Sequence, residues 1–166
     1  MQNICINKLE KTGPVMISQY PNNYFKRDEL IEIPMKVIPL NAKEGDFTTI
    51  IFRNNLIIVS YIFTLQEVDD GRASLLAISA TIDDNQINPF SFKNIFESII
   101  EQLKSYNFTD LDNIISLLPR LFHAFSKRKS ELKITKSTTI QIEVIDSNKP
   151  NKKKKKSKKD RANGMW

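Results

Sequence analysis

The order of hydrophobic patterns between Met1 and Phe125 is the feature that most constrains how this chain can fold. Two strand-like runs come first, followed by a short helical pattern, three further strand-like runs and two amphipathic helical patterns. Both amphipathic helices need an apolar surface to cover, and a sheet of five strands supplies it. The order therefore predicts an α+β fold: a five-stranded antiparallel sheet with one short helix on one face and two C-terminal helices on the other.

The first two strand-like runs, residues 4–9 and 15–20, are predicted to form a hairpin. Gly13 lies between them and can adopt a positive φ, and Pro14 restricts φ to values that suit a turn or the start of the returning strand. The polar stretch between the runs is therefore the expected turn.

A helical pattern at Asp28–Ile33 follows the hairpin. Pro34 disfavours helical backbone angles at Ile33, and Pro39 interrupts the pattern again. A short, broken helix is the expectation for this segment.

Three antiparallel strands are predicted at Phe47–Phe52, Leu56–Leu65 and Ala73–Ile82, which are rich in Ile, Val, Phe, Tyr and Thr. Residues 53–55 and 69–71 between them are turn residues typical of hairpins. The middle run is apolar on nearly both faces. It is therefore expected to be a central strand that is covered on both sides, or covered on one side and dimerised on the other.

Two amphipathic helices are predicted next. Asn88 is a good N-cap with Pro89 as the first helical residue, whereas Thr109 can cap the second helix, in which Pro119 is expected to introduce a kink. The inward-facing residues are expected to be Phe92, Ile95, Phe96, Ile99, Ile100 and Leu103 in the first helix, and Leu111, Ile114, Ile115, Leu118, Leu121, Phe122 and Phe125 in the second.

The C-terminal part divides the chain into a domain at residues 1–130, an added strand within residues 131–147 and a disordered lysine-rich tail at 148–166. Ile140, Ile142 and Val144 alternate on one face of Ile134–Ile145, which predicts a strand added to an open sheet edge of this domain or of a second copy. Residues beyond Ser147 are too polar to fold alone.

The basic charge is concentrated in the tail. The segment 149–161 holds nine of the 25 basic residues and one of the 19 acidic residues, which leaves residues 1–148 with a net charge of −2. A nucleic-acid surface spread over the domain is therefore not expected, and a solvated tail without a partner is the plain alternative to a binding tail. The residues expected to attract anionic lipid headgroups are Lys152, Lys153, Lys154, Lys155, Lys156, Lys158 and Lys159.

The sequence carries no pattern of catalytic or cofactor-binding residues, so a non-enzymatic protein without a metal or cofactor is expected. His123 and Cys5 are the only residues of their kinds, too few for a His/Cys zinc site or a disulfide. Neither glycine-rich nucleotide-binding motif nor a nucleophile elbow occurs. The single cysteine and the absence of a long apolar run favour a cytoplasmic protein.

Three segments resemble longin domains of the DENN and nitrogen-permease-regulator-like group. Gly13–Pro21 looks like their second strand, Phe25–Leu30 lies where their first helix starts, and Asp70–Leu76 looks like the turn into their fifth strand. The resemblance covers about residues 1–126, and the richness in Ile, Lys and Asn is similar to that of archaeal relatives of the eukaryotic trafficking machinery. Roadblock folds begin with a helix for which there is no room here, and profilin-like folds share the central sheet but need helices at both termini.

The resemblance implies a non-enzymatic adaptor that pairs with another longin, a roadblock protein or itself, and binds or regulates a small Ras-like GTPase at a membrane. Partner contacts are expected at Leu30, Ile33, Ile50 and Phe52. The alternative is a nucleic-acid-associated protein that binds through its lysine-rich tail. That alternative is less favoured because the tail lacks interleaved aromatic residues for stacking on bases.

Overall fold

The computed structural model describes residues 1–53, 56–66, 73–82, 87–106, 110–127, 129–133 and 139–143. Seven strands and three helices lie within these ranges. In chain order they are β1 (Asn3–Glu10), β2 (Gly13–Tyr20), α1 (Arg27–Val37), β3 (Phe47–Ile51), β4 (Ile57–Gln66), β5 (Ala73–Ile82), α2 (Pro89–Ser105), α3 (Leu111–Ser126), β6 (Lys129–Lys133) and β7 (Thr139–Glu143).

Strands β1 to β5 form one antiparallel sheet in the order β2-β1-β5-β4-β3. The α+β fold with a five-stranded antiparallel sheet is therefore confirmed. The first hairpin is also as expected, and Gly13, at a φ of 124°, begins β2 directly after the turn. Because β1 pairs with β5, the two halves of the domain share one sheet.

Strand β4 is covered on both faces, which was one of the two arrangements expected for it. Val59 and Phe63 face the layer formed by α2 and α3, whereas Ile58 and Ile62 face the layer that contains α1. These four side chains are buried. The alternation follows from the two-residue period of a strand.

Helix α2 agrees closely with the sequence pattern. The Asn88 side chain accepts a hydrogen bond from the Phe90 N–H at 3.0 Å, as an N-cap does. The Phe92 ring stacks on Phe125 of α3 with centroids 5.0 Å apart, which ties the two helices together above the sheet. The inward-facing residues expected for α2 are all buried: Phe92, Ile95, Phe96, Ile99, Ile100 and Leu103.

Helix α3 differs from the expectation at its start and along its inner face. Asp110 is the N-cap and accepts from the Asp112 N–H at 3.1 Å, while Thr109 lies outside the described residues. The helix runs through Pro119. Leu117 and Ala124 are buried although the sequence pattern left them out. The predicted inward residues Leu111, Ile115 and Phe122 are only half-buried, so the buried face of α3 differs from the predicted one.

Helix α1 is longer than the short, broken helix that was expected. It runs without a break through Pro34 to Val37, and the Ile38 N–H donates to the Pro34 carbonyl at 3.0 Å. Ile33 and Val37, on either side of the proline, are fully buried against the sheet. Burial of these two side chains offsets the one backbone hydrogen bond that proline cannot make.

The C-terminal strand pairs differently from the expectation. Strand β7 lies within the segment where a strand was predicted, but it pairs with β6 in a separate two-stranded sheet and not with an edge of the main sheet. Leu132 of β6 is buried in the core beside α3, and this burial holds the β6–β7 hairpin against the domain. Val144 and the lysine-rich tail lie outside the described residues.

Candidate interaction surface

The N-terminus of α1 is held to the sheet by one buried carboxylate. Glu29 is 7% exposed, and its Oε2 accepts from the Lys26 N–H at 2.8 Å. Its Oε1 lies 2.6 Å from Nη1 of Arg53, two residues after the end of β3. This ion pair links α1 to the β3 side of the fold, and one of its partners is largely removed from water.

The four residues expected to contact a partner all belong to the apolar cluster between α1 and the sheet, but they do not form one surface. Leu30, Ile50 and Phe52 are half-buried at its border, and the Lys36 ammonium lies 5.5 Å from the Phe52 ring centroid. Ile33 is fully buried. The expectation for Ile33 is therefore corrected: it packs α1 onto the sheet and its side chain does not reach the surface.

Two other residues of α1 present apolar side chains to the outside. Ile31 is 64% exposed and Met35 is 63% exposed. They lie four residues apart and so share a face of the helix, while Ile33 and Val37 share the opposite, buried face. Sequence reasoning missed them because it assigned the apolar residues of this segment to a broken helix. In a continuous helix, Ile31 and Met35 lie on one face and Ile33 and Val37 on the other.

A groove runs between α1 and the edge strand β2. It consists of two cavities of about 380 and 350 Å³, and Met16 and Leu30 line both of them. One cavity is bordered by polar residues of the β2 end and the turn after it, including Gln19 and Asn22. The other lies toward the β1–β2 turn and is bordered by apolar side chains.

The two edges of the sheet differ in how well they are prepared for pairing. Strand β2 contains Pro14, and its register with β1 shifts at Ile17, which forms a bulge. Strand β3 contains neither proline nor a charged residue, and its register with β4 is unbroken from Phe47 to Ile51. Proline, charge and bulges are the usual devices that protect an edge, so within the part of the chain that the structure describes β3 is the unprotected edge.

The backbone groups on the open side of β3 follow from its pairing with β4. Phe52 N–H donates to the Leu56 carbonyl at 2.7 Å, and Ile62 N–H donates to the Asp46 carbonyl at 2.9 Å. Antiparallel pairing alternates, so the residues between these positions turn their backbone groups alternately to β4 and to the open side. The N–H and C=O groups directed to the open side are those of Phe47, Thr49 and Ile51.

A polar network connects α2 with the loop that precedes β3. Glu44 accepts hydrogen bonds from Lys104 and from the Thr64 hydroxyl, and these bonds lower the pKa of its carboxyl. Burial raises the pKa of the Tyr61 hydroxyl, and the carboxylates of Glu97, Glu44 and Glu101 raise it further. This network joins α2 to β4 and to the loop before β3.

Reactive groups are scarce in the part of the chain that the structure describes. Burial raises the pKa of the Cys5 thiol to about 12, so the thiolate that reacts with electrophiles is suppressed there. No three His, Cys, Asp or Glu residues among the described ranges are grouped so that they could hold a metal ion. None of the helices described is both long and apolar enough to cross a membrane. The seven tail lysines lie outside the described residues.

Comparison with known proteins adds no family to these observations: neither the protein-family models nor the curated proteins contain a match to this chain. The class that the structure defines is an α+β domain with a five-stranded antiparallel sheet between two unequal helical layers.

Truncating Ile31 and Ile33 separately should distinguish the outer face of α1 from its core face. We expect Ile33→Ala to lower the free energy of unfolding by about 2–4 kcal/mol, because it opens a cavity beneath the helix. Ile31→Ala makes the same chemical change at an exposed site and should change stability by less than about 0.5 kcal/mol. Urea denaturation measures both, and equal losses would contradict the assignment of the two faces.

Proposed function

We propose that this protein is a non-enzymatic adaptor of the longin type. It pairs with another longin, a roadblock protein or a second copy of itself, and it binds or regulates a small Ras-like GTPase at a membrane. The observation that carries the pairing step is the unprotected edge of β3. The GTPase and the membrane rest on the resemblance to longin domains and on the lysine-rich tail.

Strand β3 supports pairing through both its backbone and its side chains. Its outward N–H and C=O groups are a template on which a strand of the partner can extend the sheet. Ile51 is 76% exposed and Thr49 is exposed on one face, while Ile50 and Phe52 are half-buried on the other. A partner strand would therefore gain main-chain hydrogen bonds together with apolar contacts at each face.

The tail supports a peripheral position at a membrane on the cytoplasmic side. Each lysine near an anionic surface contributes roughly 1 kcal/mol, so seven lysines are sufficient to hold a small protein there without a lipid anchor. The net charge of residues 1–148 is −2, so the rest of the chain adds no attraction of its own. Membrane attachment and partner pairing are thus assigned to separate parts of the chain.

Thr49→Pro should weaken pairing through β3. Proline removes the outward N–H of Thr49, but it leaves the hydrogen bonds to β4 in place because that N–H does not take part in them. We expect the association to weaken by at least about tenfold, since a main-chain hydrogen bond is lost and the proline ring obstructs the incoming strand. Sedimentation of the protein alone, and of co-expressed longin or roadblock candidates, measures this.

Thr49→Val is the matched control, because it retains the edge N–H and the β-branched shape. It should pair as the parent protein does. If Thr49→Pro folds and pairs as tightly as Thr49→Val, the β3 edge is not the pairing surface.

Binding of a small Ras-like GTPase should be detectable by titration in both nucleotide states. We expect binding that depends on the nucleotide state, because the switch segments of such GTPases are ordered by the γ-phosphate. Candidates are titrated against the protein alone and against its complex with a longin or roadblock partner. Absence of binding under all four conditions would remove the GTPase from the proposal and leave the pairing function to be judged by the Thr49 variants.

Removal of residues 149–166 should abolish binding to vesicles that contain anionic lipid and should leave partner pairing unchanged. The parent protein is expected to dissociate from these vesicles as salt is raised, because the attraction is screened. Sedimentation with vesicles measures both effects. Specific RNA or DNA binding by the full chain that is lost with the tail would favour the nucleic-acid alternative, and its retention by residues 1–148 would contradict both models.

A further inference from the structure

The two faces of the central sheet differ in polarity. On the face that meets α2 and α3, the described buried side chains of β1, β4 and β5 are apolar. On the face that meets α1, polar side chains lie among four apolar or weakly polar ones: Cys5, Ile58, Ile62 and Ala77. The buried polar residues on this face are Asn3, Asn7, Ser60, Ser79 and Thr81.

Part of this polar face is left without hydrogen bonds. The Asn7 Nδ2 donates to Ser79 Oγ at 3.2 Å, and the Ser79 and Ser60 hydroxyls are 2.8 Å apart. Among the described residues, however, no protein group bonds to Oδ1 of Asn3, Oδ1 of Asn7 or Oγ1 of Thr48. Turning either amide would exchange its ends and still leave one end of it unpaired.

These three unpaired atoms lie on one side of the sheet. Thr48 lies two residues before Ile50 in β3 and therefore on the same face, and Ile50 packs against the cluster beneath α1. A buried oxygen without a hydrogen bond costs free energy, and exposing it to water would recover that cost. Such an oxygen therefore destabilises the layer that covers it. This cost falls on the α1 side of the sheet and not on the side of α2 and α3.

The layer that covers the polar face also has the smaller apolar core. We define the α1 layer as Phe25, helix α1 and Ile38. Pro34 removes one hydrogen bond from the helix, and Ile31 and Met35 remain exposed when it is docked. The α1 layer is held by a small apolar cluster and by the Glu29–Arg53 ion pair, whereas α2 and α3 share the large core.

We propose that the α1 layer is a displaceable cover, which leaves the sheet as a unit while the sheet, α2 and α3 stay folded. Opening wets the unpaired oxygens of Asn3, Asn7 and Thr48 and exposes a mixed polar and apolar sheet face. Such partial opening is the behaviour expected of the least stable cooperative unit in a domain. The proposal does not depend on the GTPase or on the membrane.

Cys5 reports this opening directly. It is 1% exposed, belongs to the cluster beneath the α1 layer and is the only cysteine of the chain. Burial raises its pKa to about 12, so a thiol reagent reacts with it when the layer is open. The experiment measures the rate at which an aromatic disulfide labels Cys5 of the full chain at increasing urea, with global unfolding measured in parallel.

We expect two regimes of labelling. At low urea the rate should depend weakly on urea, because opening exposes little surface, and it should exceed the rate predicted from global unfolding by at least about tenfold. Near the unfolding midpoint the two rates should converge. Labelling that follows global unfolding at all urea concentrations would overturn the proposal.

Arg53→Met and Lys104→Met are a matched pair of variants. Each removes the cation from a glutamate ion pair, but Arg53 holds the α1 layer and Lys104 lies on α2. Arg53→Met should accelerate labelling at low urea by roughly tenfold, because it leaves the buried Glu29 carboxylate without its cation. Lys104→Met should leave that rate unchanged, and equal acceleration by both would contradict a local opening.

Asn7→Val tests the same proposal in the opposite direction. It removes an unpaired buried oxygen at nearly constant side-chain size, together with the Nδ2 hydrogen bond to Ser79. That bond joins two strands of the sheet and does not involve the α1 layer, so labelling at low urea should still become slower. The reagent's rate with the urea-unfolded variant corrects for any change in the chemistry of the neighbouring thiol. Faster labelling by Asn7→Val at unchanged global stability would overturn the role given to the polar face.

Discussion

Burial of the paired strands β4 and β5 on both faces is the constraint on which the rest of the structure depends. Their ten-residue pairing is unbroken from Ile57 to Gln66, and side chains on both sides of it are withdrawn from water. A sheet that buries side chains on both faces needs two covering layers, which the chain supplies from elements placed before and after the three-strand meander. The location of α1 on one side and of α2 and α3 on the other follows from this requirement.

The two layers have different physical characters because the two faces of β1 and β5 differ. One face is built from isoleucine, leucine and alanine and packs against aromatic rings of α2 and α3. The other face carries asparagine, serine and threonine beneath α1. Apolar burial stabilises the first layer, whereas the second combines a smaller apolar cluster with polar groups that are incompletely paired. The proposed opening therefore concerns only the α1 side of the sheet.

The two edges of the sheet also differ, in this case in the regularity of their backbone pairing. A bulge, a proline and the neighbouring helix α1 mark β2, while β3 presents regular backbone groups and uncharged side chains. The proposed pairing function uses the regular edge. The groove beside β2 remains a distinct feature with apolar and polar ends, bordered by Met16 and Leu30 along its length.

Periodicity along the chain predicted the five strands of the main sheet, the first hairpin and the buried face of α2, because those patterns arise from local geometry and from which side chains avoid water. It did not predict β6. The structure, and not the sequence pattern, shows that Leu30, Ile50 and Phe52 border one apolar cluster beneath α1. Only the tertiary structure decided that α1 continues through Pro34, that Ile33 is core while Ile31 and Met35 are surface, and that β7 pairs with β6. The reason is that each of these outcomes depends on energies summed over segments distant in sequence: burial against the sheet outweighs a local proline penalty, and strand pairing depends on which edge is within reach.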